Sequence, residues 1–198
     1  MLGTDMKENT GLSDMTGKVV GFSGNFTQPS KTRALVESVA SEVGGQYGLR
    51  AQSFDVADLG PSFGSARWAG ELDAQAKMVL DAVTQADLLV VGSPTYKGSY
   101  TGLFKHFFDL LDPNALRGKP VLILATGGGE RHALVVEHQL RPLFGFFEAL
   151  VLPTATFVSE RDYVDGKLAS PIIQARIAQA VTEAGLALGR PAIKRDAA

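Results

Sequence analysis

Leu88-Leu89-Val90-Val91 is an apolar run with no polar residue at alternate positions. A strand with one face in water alternates, whereas a strand buried on both faces does not. The run therefore reads as the centre of a parallel sheet with helices on each side. Further strands are expected at residues 18–22, 49–54 and 120–125, and within 151–158. Helical patterns separate them. Residues 30–43 carry Val36, Val39, Ala40 and Val43 on one face, with Gly44-Gly45 as the stop, and residues 72–85 do the same with Ala76, Val79, Leu80 and Val83. Residues 101–111, 132–147 and 171–188 complete the set. Such β-α alternation predicts an α/β fold, a doubly wound five-stranded parallel sheet with right-handed crossovers and strand order 2-1-3-4-5. Its switch point lies between strands one and three, and ligands bind there, outside the carboxyl ends of the strands.

Length and composition limit what the sheet can serve. At 198 residues the chain is long enough for one sizeable core. Residues 17–188 are expected to form that domain, with 1–16 a flexible extension and 189–198 a tail. A formal net charge of −2 supplies no basic field for nucleic acid. Cysteine is absent, which excludes disulfide scaffolds, thiol catalysis and zinc–thiolate sites. No apolar run approaches the roughly 20 residues needed to span a bilayer. The polar first 16 residues lack the apolar core of a signal peptide, so a cytoplasmic protein is expected.

Three loops fall on the ligand-binding rim. The first follows Val19-Val20-Gly21-Phe22 and offers Ser23, Thr27, Ser30 and Thr32, with Lys31 and Arg33 adding charge. Small hydroxyls and unpaired N–H groups at a helix N-terminus suit a phosphate, although Ser and Thr also serve there simply as helix caps. No Gly-Lys-Ser/Thr opens the helix and the dinucleotide fingerprint is missing, so a mononucleotide fits better than a pyrophosphate. The second loop, Pro94-Thr95-Tyr96-Lys97-Gly98, brings a stiff turn and a ring able to stand beside a planar cofactor. The third, Thr126-Gly127-Gly128-Gly129, lets backbone approach a flat ring. Together they describe a flavin-sized site.

Three other features stand apart. Residues 56–70 form a long irregular stretch in which Trp68 beside Arg67 reads either as a ring-stacking or interface pair, or as a pin holding the loop to its own domain. Leu103, Phe104, Phe107, Phe108 and Leu111 make a stripe wider than a half-buried helix needs, so part of it is expected to meet another subunit. Pro142 inside the fourth helix removes an N–H, and a kink or π-bulge near His138 is the expected response.

Ser23…Ser30-Lys31-Thr32, Ser93-Pro94-Thr95-Tyr96-Lys97-Gly98-Ser99-Tyr100-Thr101-Gly102 and Ala125-Thr126-Gly127-Gly128 resemble the NAD(P)H-dependent FMN reductases of flavodoxin-like fold. The likeness is strongest to the reductases that serve two-component flavin monooxygenases of alkanesulfonate, methanesulfonate or EDTA breakdown. It covers nearly all of residues 18–188. The resemblance implies FMN phosphate at Ser23, Ser30 and Thr32, and the flavin ring by Pro94, Thr95, Tyr96, Thr126, Gly127 and Gly128. It further implies NADPH or NADH as donor, a partner flavin-dependent monooxygenase, and a homodimer or homotetramer. Where the family usually has Gly-Ser-x-Arg, this chain has Phe22-Ser23-Gly24-Asn25. The phosphate-binding arginine is gone, which bears on how tightly FMN is retained, and Lys31 or Arg33 is left to compensate. Relatives can carry a π-helical insertion in the fourth helix at a subunit interface, and His138 falls at that position as a polar interface residue. A reductase of quinones, azo dyes or metal ions with bound FMN is the alternative activity, and a flavodoxin-like electron carrier a weaker one.

Overall fold

The computed structural model describes residues 17–193; the expected extension 1–16 and the end of the expected tail, 194–198, lie outside the described residues. Four long strands, β1 (Lys18–Ser23), β2 (Arg50–Asp55), β3 (Leu88–Pro94) and β4 (Pro120–Gly127), pair in parallel in the order β2-β1-β3-β4. The register sets Leu89 opposite Val121 and Ser23 opposite Gly92, so the strands end together along one rim. Helices α1 (Lys31–Tyr47) and α5 (Pro171–Leu188) cover one face; α2 (Ala74–Thr84), α3 (Gly102–Asp109) and α4 (Arg141–Phe146) cover the other. Leu88 and Val90 pack with Val36, Val39 and Ile177, while Leu89 and Val91 pack with Phe104 and Phe107. Both sides of β3 are therefore dry, which is why its sequence does not alternate.

The fifth strand position departs from expectation. Instead of one strand within 151–158, two short ones, β5 (Leu150–Val151) and β6 (Thr156–Ser159), pair with successive parts of β4. Pro153 lies between them, where it can give no N–H to the ladder. Side chains take over the backbone groups that the gap frees. Arg141 donates to the carbonyls of Leu152 (3.0 Å) and Pro153 (3.1 Å), Arg176 to that of Ala155 (2.7 Å), and the Thr154 N–H donates to Glu183 (2.8 Å).

Two further expectations are corrected, the stop of α1 and the role of Trp68. Gly44-Gly45 does not stop α1, which continues to Tyr47 and ends at Gly48 with φ 67°. Gly44 serves close packing instead: a Cβ there would stand 2.8 Å from the Leu49 carbonyl oxygen. Most of the α3 stripe packs inside the chain, with Phe104, Phe107 and Phe108 buried among Phe22, Phe144 and Phe147 and Leu103 left half-buried. Residues 56–70 contain short 3₁₀ turns anchored by the buried Val56, Leu59 and Phe63. Trp68 does not pin this stretch; it is 55% exposed, with the Arg67 guanidinium 4.6 Å from its ring centroid.

The fourth helix breaks as Pro142 requires. Val136–Leu140 is π-helical, and the Arg141 N–H reaches the Val136 carbonyl, five residues back. A small antiparallel hairpin, β7 (Tyr163–Val164) with β8 (Lys167–Leu168), follows β6 and was not anticipated. Residues 189–193 of the expected tail turn back onto α1, where the Ile193 N–H donates to the Gln46 carbonyl at 2.8 Å.

Candidate functional site

The rim is built around Asp55, at the end of β2 and fully buried. Its carboxylate accepts from Asn25 (2.8 Å) and Gln28 (2.7 Å) and pairs with Arg33 (2.8 Å). These contacts hold the β1–α1 loop in shape. Arg33 also pairs with Asp58 (2.8 Å), and this acidic company raises its pKa, with the Asp55 hydrogen bond as the largest cause. Its guanidinium is therefore spent on the loop's framework and does not line the cavity. Of the two cations expected to replace the missing arginine, only Lys31 lines it.

Ser23 is likewise structural in position. Its hydroxyl is buried, donates to Asn25 Oδ1 (2.8 Å) and the Phe54 carbonyl (3.4 Å), and stands outside the cavity lining. Asn25 takes the place where the family motif has arginine and bridges Ser23 to Asp55. Gly24 beside it is required by packing, because a Cβ would fall 2.7 Å from Phe104.

The remaining expected residues, Ser30, Thr32, Pro94, Thr95, Tyr96, Thr126, Gly127 and Gly128, line one cavity of about 330 Å³. Thr126 ties the three loops together. Its hydroxyl lies 2.6 Å from that of Thr32, and its carbonyl accepts the Thr95 N–H at 2.7 Å. Ser30 caps α1, accepting the Arg33 N–H at 3.2 Å, and its carbonyl accepts that of Ala34. The N–H groups of Lys31 and Thr32 are left without intrahelical acceptors at the positive end of the helix dipole. Such a helix start suits a phosphate.

The second loop is a tight turn. Tyr96 and Ser99 exchange backbone hydrogen bonds, and Lys97 (φ 54°) and Gly98 (φ 87°) both take the left-handed region, as a type I′ turn demands. This turn presents Tyr96 edge-on to Phe26 of the first loop, ring centroids 5.9 Å apart. Gly127 admits the ring of Phe157, which a Cβ would meet at 2.9 Å.

Sequence reasoning missed the far wall of the cavity: Val158, Ser159, Glu160 and Tyr163, from β6 and the hairpin after it. Lys31 pairs with Glu160, and its ammonium lies 5.1 Å from the centroid of the Tyr163 ring. No periodicity marks this wall, because short strands and turns leave no repeating pattern. Burial pushes the Tyr163 phenol up to about 12, with Glu160 and Asp162 adding to the shift.

Two hydroxyls on the lining, those of Thr95 and Tyr163, are buried without a hydrogen-bond partner. A buried polar group left unpaired costs free energy in the ligand-free protein. A phosphate-bearing planar heterocycle fits the helix start, the open backbone at Gly128 and the ring of Tyr96 together. No histidine lines the cavity. His106 instead lies 3.0 Å from the Phe63 carbonyl.

Comparison with known proteins agrees with this geometry. Residues 17–163 match the family model described as NADPH-dependent FMN reductase. The chain is 44% identical to the NADH-dependent FMN reductase SfnF of Pseudomonas fluorescens (strain Pf0-1) over 172 residues, 87% of this chain and 92% of that one. It is 43% identical to the FMN reductase (NADPH) of Pseudomonas aeruginosa over 172 residues, covering 87% and 92% of the two chains. An oxidoreductase from Corynebacterium diphtheriae superposes with a TM-score of 0.79 at 32% identity, covering 88% of this chain and 98% of that one. By sequence and by fold, the chain belongs to the NADPH-dependent FMN reductase family.

Proposed function

We infer that this chain reduces FMN with NADH or NADPH and passes the reduced flavin to a flavin-dependent monooxygenase. The observation that carries this reading is one cavity at the sheet's switch point, in which a helix start and the two loops after β3 and β4 are joined through Thr126. Ser30, Thr32 and Lys31 would hold the phosphate. Pro94, Thr95, Tyr96, Gly127 and Gly128 would hold the ring. These residues would hold FMN as the acceptor of a hydride from a nicotinamide, and the flavin would supply the redox chemistry. The chain's residues orient and desolvate: the Tyr96 ring lines the site, and Gly128, whose Cβ position is open, allows close approach of backbone. No side chain is needed as a general acid or base for hydride transfer.

Release to a monooxygenase is supported by the light charge at the phosphate end, where Lys31 is already paired. Among the described residues no helix is long and apolar enough to cross a membrane. A cytoplasmic setting, where reduced nicotinamides are regenerated, belongs to the same reading. So does a homodimer or homotetramer, supported by the exposed Leu134 (62%) and Phe146 (68%) on either side of the π-helical turn.

The test is oxidation of NADH and of NADPH followed with and without added FMN. Saturable acceleration by FMN is expected with at least one of the two donors. Absence of FMN-dependent oxidation with both would sink the assignment.

A further inference from the structure

We propose that Glu160 sets how long FMN stays bound, by competing with the flavin's phosphate for the Lys31 ammonium. The proposal rests on the FMN reading above and names the residue that tunes it. Among the described residues lining the cavity, Lys31 is the only cation and Glu160 the only anion. The two are paired, and Lys31 also lies over the Tyr163 ring. Arg33, the other cation of the first loop, is turned to Asp55 and Asp58. The phosphate end is thus close to neutral before any ligand arrives.

A phosphate monoester carries about −1.5 to −2 charges near neutral pH. It gains Lys31 only by sharing the ammonium with Glu160 or displacing the carboxylate, and the two anions repel throughout. Glu160 is not on a drifting loop. It opens a 3₁₀ turn whose Ser159–Asp162 capping box is complete, and the next residue, Arg161, pairs with Glu130 at 3.0 Å. That second pair is itself exposed, so the capping box is the main anchor of the turn. The Lys31–Glu160 pair itself is open to water, with side chains 43% and 60% exposed. Exposed pairs are weak, so a doubly charged competitor can open this one and be expelled again as it re-forms. The arrangement binds phosphate without trapping it.

Riboflavin, which has the same ring and no phosphate, separates this mechanism from a general change in the cavity. Dissociation constants for FMN and riboflavin, read from flavin fluorescence at low and high salt, are measured for wild type, Glu160→Gln, Lys31→Met and the double variant, with FMN release rates by stopped flow. Glu160→Gln is expected to tighten FMN by about threefold to fivefold, the scale of one exposed charge interaction. It should also slow FMN release, leave riboflavin unchanged, and make FMN affinity more sensitive to salt. In the Lys31→Met background the gain should be clearly smaller, because the contested ammonium is gone and only the direct repulsion between carboxylate and phosphate is left to relieve. Unchanged or weaker FMN binding in Glu160→Gln, equal shifts for FMN and riboflavin, or an undiminished gain without Lys31 would each overturn the proposal. Wild-type protein that is folded by circular dichroism yet binds neither flavin would overturn the FMN reading instead.

Discussion

Tyr163 shows how one residue can link stability to the site. Its ring supports Lys31, and its hydroxyl is buried without a partner. Burial favours the neutral phenol, so the folded pKa, about 12, lies above the ordinary tyrosine value. Between those two values the unfolded chain loses the proton while the folded chain keeps it. Stability is therefore intact below the ordinary value and falls as pH rises toward 12. Tyr163→Phe removes both the titration and the orphaned hydroxyl. Thermal melts of ligand-free protein should show a slightly higher Tm for the variant near neutrality and a smaller loss of Tm under alkaline conditions. An equal alkaline loss in both proteins would contradict this origin. At this scale Thr95, Tyr96, Thr126, Gly127 and Gly128 were legible as cavity lining because each sits at or just after the end of a recognisable strand. Ser23 was misread: its hydroxyl type fits a phosphate, but only the fold shows it turned inward to Asn25.

Among the elements, the π-helical turn and the broken strand position share one side chain. Arg141 pairs with Glu137 at 2.5 Å and donates to the carbonyls of Leu152 and Pro153. It thereby joins the turn to the gap between β5 and β6. The hydrogen bond from Arg141 is the largest cause holding the Glu137 carboxyl below its usual range. That contribution is present above the ordinary carboxylate value and is lost as pH falls through the folded one. Arg141→Met keeps the stem and removes the donors, leaving two carbonyls and a carboxylate short of partners. It is expected to cost about 1–3 kcal/mol in urea unfolding near neutral pH. The cost should narrow in acid, where Glu137 is protonated in either protein; a cost independent of pH would show that the ion pair contributes nothing. Pro142 made the disturbance of this helix readable in sequence, because a missing N–H has a local consequence. The splitting of the fifth strand position was not readable from Pro153 alone. It needed Arg141, Arg176 and Glu183, from two helices, to satisfy the freed backbone.

For the whole molecule, the sheet buries apolar residues on both faces, yet Leu134, Phe146 and Leu150 remain exposed around the fourth helix. A second copy covering this region is the expected reason. Light scattering should give a mass above one chain, and Leu134→Glu with Phe146→Glu should lower it without unfolding the protein, since neither side chain is part of the core. A monomeric wild type would refute the assembly. The sequence alone determined the α/β class, the strand order and the two-sided core, because period, turn residues and β-α alternation are local properties that constrain a global topology. It also marked three of the loops that meet at the switch point. Only the tertiary structure decided which charges face the ligand. Arg33 and Lys31 are two residues apart on one helix, yet Asp55 and Asp58 claim the first and the cavity receives the second. Glu160, which meets Lys31 there, comes from a turn 129 residues away. Pairings at such separations are set by how the layers close, and no local pattern in the chain records them.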